Sequence, residues 1–140
     1  MYTHILIATD GSEIAGKALP HAIELAKALG AKLSAVTITE PYDAVVAAES
    51  HFDFNERSAE NAAEILSAVT SATKAAGIEC DAIHEQNRLP YAGIIEAAEK
   101  VGADLIVVGS HGRRGIEGLL IGSQAAKLLT HTKIPALVVR

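Results

Sequence analysis

Tryptophan is missing from the 140-residue chain, and cysteine and methionine occur once each. A lone Cys80 excludes an internal disulfide and fits a reducing compartment. Basic residues are too few to offset the acidic ones: 12 Lys and Arg stand against 17 Asp and Glu, a formal charge of −5. That balance argues against a general nucleic-acid binder, because no basic stripe is available to follow a phosphate backbone. Any phosphate site must be local. No apolar run approaches the ~20 residues of a membrane span. The opening MYTHILIATDGS has no basic leader and turns polar too early for a signal peptide. Low-complexity tracts are absent as well, and a composition of 49% hydrophobic and 21% charged residues is globular. The expectation is one cytoplasmic domain over residues 1–140, with no membrane contact.

What the chain does contain is an alternation of short apolar runs and longer helical patterns. The runs are HILIAT (4–9), KLSAVTI (32–38), IECDAIHE (78–85), DLIVVG (104–109) and PALVVR (135–140). Between the first two, Ile14, Ala18, Ala22, Leu25 and Leu29 form an apolar stripe at helical spacing, opposite Glu13, His21, Glu24 and Lys27. Pro20 falls inside that stripe and predicts a kink. Further helices are predicted over 58–76, 91–101 and 123–131, with Ala62, Leu66, Val69 and Ala76 on the inner side of the first of these.

The segments KALGAKL, KAAGIEC and EKVGADL each close a helix in the same way. A lysine occupies the last turn, favourable to the negative end of the helix dipole, and Gly30, Gly77 or Gly102 follows. Glycine accepts the left-handed conformation that ends a helix. LIVVG shows no in–out alternation, as expected of a parallel strand covered on both faces. The predicted fold is a three-layer, doubly wound α/β sandwich with a mostly parallel five-stranded sheet, Rossmann-like in plan. Residues 39–57 are the one long irregular stretch, a lid, a partner-docking surface or an ordinary insertion.

Two strand-to-helix joints carry chemistry. In ATDGS, Asp10 ends the first strand and Ser12 is placed to cap the first helix. In GSHGRRGIEGLLIGS, Gly109 closes the fourth strand and Gly122-Ser123 opens the last helix. Phosphate needs N–H donors approaching closely from several directions. A side chain at Gly109, Gly112 or Gly122 would stand in the way, and many such conformations require positive φ. Ser123 adds a hydroxyl. On composition alone this leaves open whether the glycines serve a ligand or the fold.

The spacing Gly109-x2-Gly112-x9-Gly122-Ser123 resembles the nucleotide-binding signature of the universal stress protein family. The likeness runs along the whole chain: HILIATDGSEIAGKAL is similar to the family's first strand and helix, and IPALVVR to its closing strand. The resemblance implies the ATP-binding subtype, with ATP and its Mg2+ at the carboxyl edge of the sheet. Carried over, Gly109, Gly112, Gly122 and Ser123 hold phosphates and ribose, and Asp10 touches nucleotide or metal. Backbone near Ile38 faces adenine. Arg113 offers charge to the phosphates, although a wet loop tip accounts for it equally. The resemblance also implies a stress-response sensor or signalling module, homodimeric through the C-terminal strand, with at most slow hydrolysis. Two positions depart from the family pattern: Arg88-Leu89-Pro90 stands where many members have Gly-x-Pro, and Gln124 where a small apolar residue is common.

Catalytic signatures are lacking. There is no GxxxxGK[ST], no HExxH, no CxxC and no SGGxDS, and the six histidines show no metal-ligand spacing. His111 has no nucleophile and orienting acid grouped around it in sequence, and Arg88, at the ligand edge, reads as a solvated surface residue, with reach to a phosphate as the alternative. A related nucleotide-dependent enzyme and a nucleotide-free homodimeric interaction module, docking through 39–57, stand as the alternatives. ATP, AMP and a cyclic nucleotide are not separated by the sequence.

Overall fold

The computed structural model describes residues 1–43, 49–112 and 121–140. Among the described residues there are five strands: β1 (His4–Ala8), β2 (Lys32–Thr39), β3 (Cys80–Gln86), β4 (Leu105–Gly109) and β5 (Ala136–Val139). The helices are α1 (Glu13–Gly16), α2 (Ala18–Leu29), α3 (His51–Ala75), α4 (Pro90–Val101) and α5 (Ser123–His131). The sheet order is β3-β2-β1-β4-β5, with every pairing parallel. The chain thus winds outward from β1 in one direction, then returns to the other side of β1. This is the doubly wound α/β plan expected from the alternation.

Side-chain parity on the central strands builds two cores. Ile5 and Ile7 of β1 point to the face covered by α2 and α3, packing with Ala22, Ala26, Leu66 and Val69. Leu6 and Ala8 point to the opposite face, where Ala97 of α4 and Leu128 of α5 cover them. Ile5, Leu6 and Ile7 are completely buried. Each such side chain contributes about 1.5–3 kcal/mol through its removal from water. Leu105, Ile106, Val107 and Val108 of β4 are buried too, which is why that run carries no alternation of polarity.

The helix ends follow their local chemistry. Gly30, Gly77 and Gly102 adopt φ of 63°, 78° and 72°, the left-handed values that the three lysine–glycine endings required. The first helical segment differs from the predicted kink at Pro20. It divides at Lys17 into the single turn α1 and the longer α2, and Pro20 lies in the first turn of α2. There its missing N–H has no intrahelical partner to lose. The buried face is also rotated relative to the predicted stripe. Ala15, Ala18, Ala22, Ile23 and Ala26 are inside, Leu25 is half-buried, and Ile14 and Leu29 are 37% and 40% exposed.

The predicted irregular stretch is shorter than 39–57, because α3 begins at His51. Ser50 caps it, its hydroxyl accepting from Asp53 N–H at 3.1 Å. Tyr42 stacks on His51 at 4.6 Å and meets the edge of Phe54 at 5.4 Å, so both ends of this stretch pack together. The inner residues of α3 are Ala62, Leu66, Val69 and Thr73, with Ala76 half-buried beside them. Cys80 begins the edge strand β3. Burial, then the Asp81 carboxylate, push its thiol up to about 11. No helix among the described residues is long and apolar enough to cross a membrane.

Candidate functional site

The carboxyl ends of β1 and β4 lie side by side where the winding reverses. In doubly wound sheets the crevice for ligands opens at that point. The β1–α1 joint is tied by its own side chains. Thr9 Oγ1 accepts from Gly11 N–H at 3.2 Å, Asp10 Oδ1 accepts from Ser12 N–H at 2.9 Å, and Ser12 Oγ accepts from Ala15 N–H at 3.2 Å. Gly11 supplies the positive φ, 79°, that the turn needs. The expected cap at Ser12 is therefore formed, and Asp10 is held with a fixed backbone contact at the sheet edge.

Across from it, the β4–α5 joint is packed against this turn. None of Gly109, Gly112 and Gly122 has positive φ. Their need for glycine is steric, which corrects the conformational expectation. A Cβ at 109 would lie 2.9 Å from Ala15 Cα, one at 112 would lie 2.7 Å from Asp10 Oδ2, and one at 122 would lie 2.9 Å from the Ser110 carbonyl oxygen. The glycines let two loops close on each other and on the Asp10 carboxylate. Ser110 is buried, its N–H donating to Val139 O at 2.7 Å and its carbonyl accepting from Gly122 N–H at 2.6 Å. His111 Nδ1 lies 3.0 Å from Ser110 Oγ, while its buried Nε2 has no hydrogen-bond partner among the described residues. Arg113 lies outside the described residues.

These joints form one wall of a cavity of about 530 Å³, within the range of about 300–1,000 Å³ common for small-molecule sites. Asp10, Ile38, Gly109, Gly112, Gly122 and Ser123 all line it, so six of the seven residues singled out from the sequence share one space. α5 enters with Gly122 as N-cap, which has no side chain to cap the first-turn N–H groups, and its positive dipole end lies at the cavity, which Ser123, Gln124 and Ala125 line.

Of the opposite wall, the sequence points to Ile38 and to Pro90, the latter only as part of a departure from the family pattern. This wall consists of Val36 and Ile38 from β2 with Pro90 and Ile94 from α4. Gly93 brings α4 down onto β2: a Cβ there would lie 2.9 Å from Ile38 Cδ1 and 3.1 Å from Asn87 Cβ. Gln124 reaches from α5 to α4, its Oε1 accepting from Tyr91 N–H at 3.1 Å. The departure from a small residue at 124 thus ties the two helices together. Glu40 and Arg88 complete the rim. The signal for this wall was available in the apolar residues of 90–94, but only the crossover of α4 brings them over β2.

Among the described residues no cluster of three or more His, Cys, Asp and Glu could hold a metal ion. Asp10 and Glu40 are the carboxylates among the described residues that line the cavity.

A doubly wound parallel sheet with a cavity at its reversal point defines the Rossmann-like class of α/β architecture. A model of the universal stress protein family matches residues 1–140, and the chain belongs to that family. A universal stress protein of Methanocaldococcus jannaschii is 34% identical, the match covering 100% of this chain and 83% of the relative. One from Bacillus subtilis is 31% identical over the full length of both. Among solved structures, a family member from Burkholderia pseudomallei superposes with a TM-score of 0.81 at 27% identity, covering 99% of this chain and 96% of the other. A universal stress protein in complex with cAMP superposes with a TM-score of 0.75 at 28% identity, covering 99% and 97%.

Proposed function

We propose that the protein binds an adenine nucleotide in this cavity, ATP with Mg2+ being the form its chemistry suits best, and that occupancy makes it a cytoplasmic stress-response sensor or signalling module. The observation that carries the reading is the uncapped N-terminus of α5 opening on the same cavity as Asp10 and the glycine joint. Its N–H groups and the Ser123 hydroxyl are donors for phosphate, each hydrogen bond to a charged group contributing about 1.5–3 kcal/mol. The similar protein solved with cAMP supports an adenine ligand. Asp10 lines the same cavity and offers carboxylate oxygen to a cation carried in with the phosphates. Mg2+ takes most of its ligands from phosphates and water and needs only one or two carboxylates, so a site too sparse to hold a metal by itself still fits a metal–nucleotide complex.

The residues offered for chemistry are few. Efficient phosphoryl transfer uses a metal, a positioned water and a charge clamp. Asp10 and Arg88 are the charged groups supported at the described cavity beyond Glu40, so any hydrolysis is slow.

A second reading is a nucleotide-free homodimeric module. It is favoured by the contacts of the glycines, all three of which make room for protein atoms. In either reading a second copy would pair with β5, which lies at the sheet edge with Ala136, Leu137 and Val138 only half-buried. Mass spectrometry of the small molecules released on denaturing the purified protein, followed by titration with ATP and Mg2+, decides between the readings. Stoichiometric adenine nucleotide, or saturable binding on titration, is the expected result. No nucleotide released and no binding would leave the module reading. Sedimentation over a range of concentrations tests the dimer in both.

A further inference from the structure

We infer that Arg88 is a base-side ligand contact, its guanidinium lying flat on the ring of the bound nucleobase; the inference rests on the nucleotide reading above. The two ends of the cavity differ in what they offer. At α5 the N-cap is Gly122, so no N-cap side chain takes up the first-turn N–H groups, and no described residue is recorded accepting from them. At α4 the corresponding groups are largely spoken for: Leu89 N–H donates to Asn87 Oδ1 at 3.0 Å, Tyr91 N–H donates to Gln124 Oε1 at 3.1 Å, and Pro90 has none. Anion affinity is therefore concentrated at the β4–α5 end. The α4 end is apolar, walled by Val36, Ile38, Pro90 and Ile94, and suits an aromatic ring.

Arg88 stands at that apolar end. It follows β3, and the sheet order places β3 three strands from β4. At the usual spacing this is about 14 Å between the strand ends. A guanidinium there flanks the base of a nucleotide whose phosphates sit at α5. Arg88 is the one Lys or Arg among the described residues lining the cavity, and its backbone is fixed on the next residue by the Asn87 bond. A planar, weakly hydrated guanidinium over a base uses both stacking and cation–π attraction.

The test is isothermal titration of ATP, AMP and adenosine into the wild-type protein, Arg88→Ala and Arg88→Lys, with thermal melts of all three proteins. Arg88 is exposed on a loop, so the melts should coincide. A base contact predicts that Arg88→Ala weakens all three ligands by a common factor, roughly threefold to tenfold, and that lysine, lacking the plane, does not restore it. Unchanged affinities would make Arg88 a solvated residue and overturn the inference. So would a loss that grows with phosphate number and is restored by lysine. If the wild-type protein binds none of the three, the nucleotide reading itself fails, a result distinct from either.

Discussion

Gly122 donates its N–H to the Ser110 carbonyl at 2.6 Å, and a Cβ at 122 would approach that same oxygen to 2.9 Å. One close approach thus joins the start of α5 to the end of β4. Gly122→Val consequently acts on stability as well as on any ligand. Overpacking of this kind costs about 1–3 kcal/mol, read as a lowered midpoint in urea. An unchanged midpoint with lost nucleotide binding would instead show that the side chain enters open ligand space.

Ser123 separates the two effects, because its hydroxyl serves no cap in the described structure. Ser123→Ala should leave the urea midpoint unchanged and weaken ATP by roughly tenfold to a hundredfold, the value of one hydrogen bond to a charged group. Titration calorimetry measures it.

Asp10 is expected to connect the nucleotide to its cation. In Asp10→Ala, the gain in ATP affinity on adding Mg2+ should shrink. Because Asp10 Oδ1 also accepts from Ser12 N–H at 2.9 Å, a small loss of stability accompanies it. Equal Mg2+ enhancement in variant and wild type would remove Asp10 from the metal.

Cys80 gives a pH-dependent prediction. Burial, with the Asp81 carboxylate beside it, pushes its folded thiol up to about 11 from the ordinary 9.0. The unfolded chain gains thiolate first as pH rises, so this contribution to stability is present below pH 9 and is lost between 9 and about 11. Native Cys80 should react with iodoacetamide at pH 8 far more slowly than in urea. Equal rates would contradict the burial argument.

Asp104 acts at the other end of the scale. It accepts from the N–H groups of His4 and Thr3, and these bonds hold its carboxyl below the ordinary 3.8. Its stabilisation of the β1 entry is present above the unfolded value and is lost as pH falls through the folded one. Asp104→Ala should lower the melting temperature at pH 7 and reduce its further fall in acid. Parallel wild-type and variant curves below pH 4 would count against this.

Much of the fold was legible because its signals are local. The lysine–glycine endings at Gly30, Gly77 and Gly102 each needed one backbone conformation, and the continuous LIVVG run implied a covered strand. The division at Lys17 was missed because a proline inside a helical stripe reads the same whether it bends one helix or begins another. The early start of α3 was missed because residues 51–61 carry no apolar stripe, although Ser50 followed by Asp53 is a capping pattern visible in the chain. Five site residues fell together because two motifs sit at neighbouring strand ends, and Ile38 joins them from the adjacent β2. The α4 wall and the Gln124–Tyr91 bond join residues far apart in sequence, and no local pattern encodes them.

The central claim is that an adenine nucleotide occupies the cavity between Asp10 and the start of α5. Titrating ATP and Mg2+ into 15N-labelled protein, with backbone amides followed by NMR, tests it most directly. The account predicts saturable shifts concentrated at Asp10, Gly109, Gly112, Ser123 and Gln124. Shifts confined to other surfaces, or none at all, would contradict it.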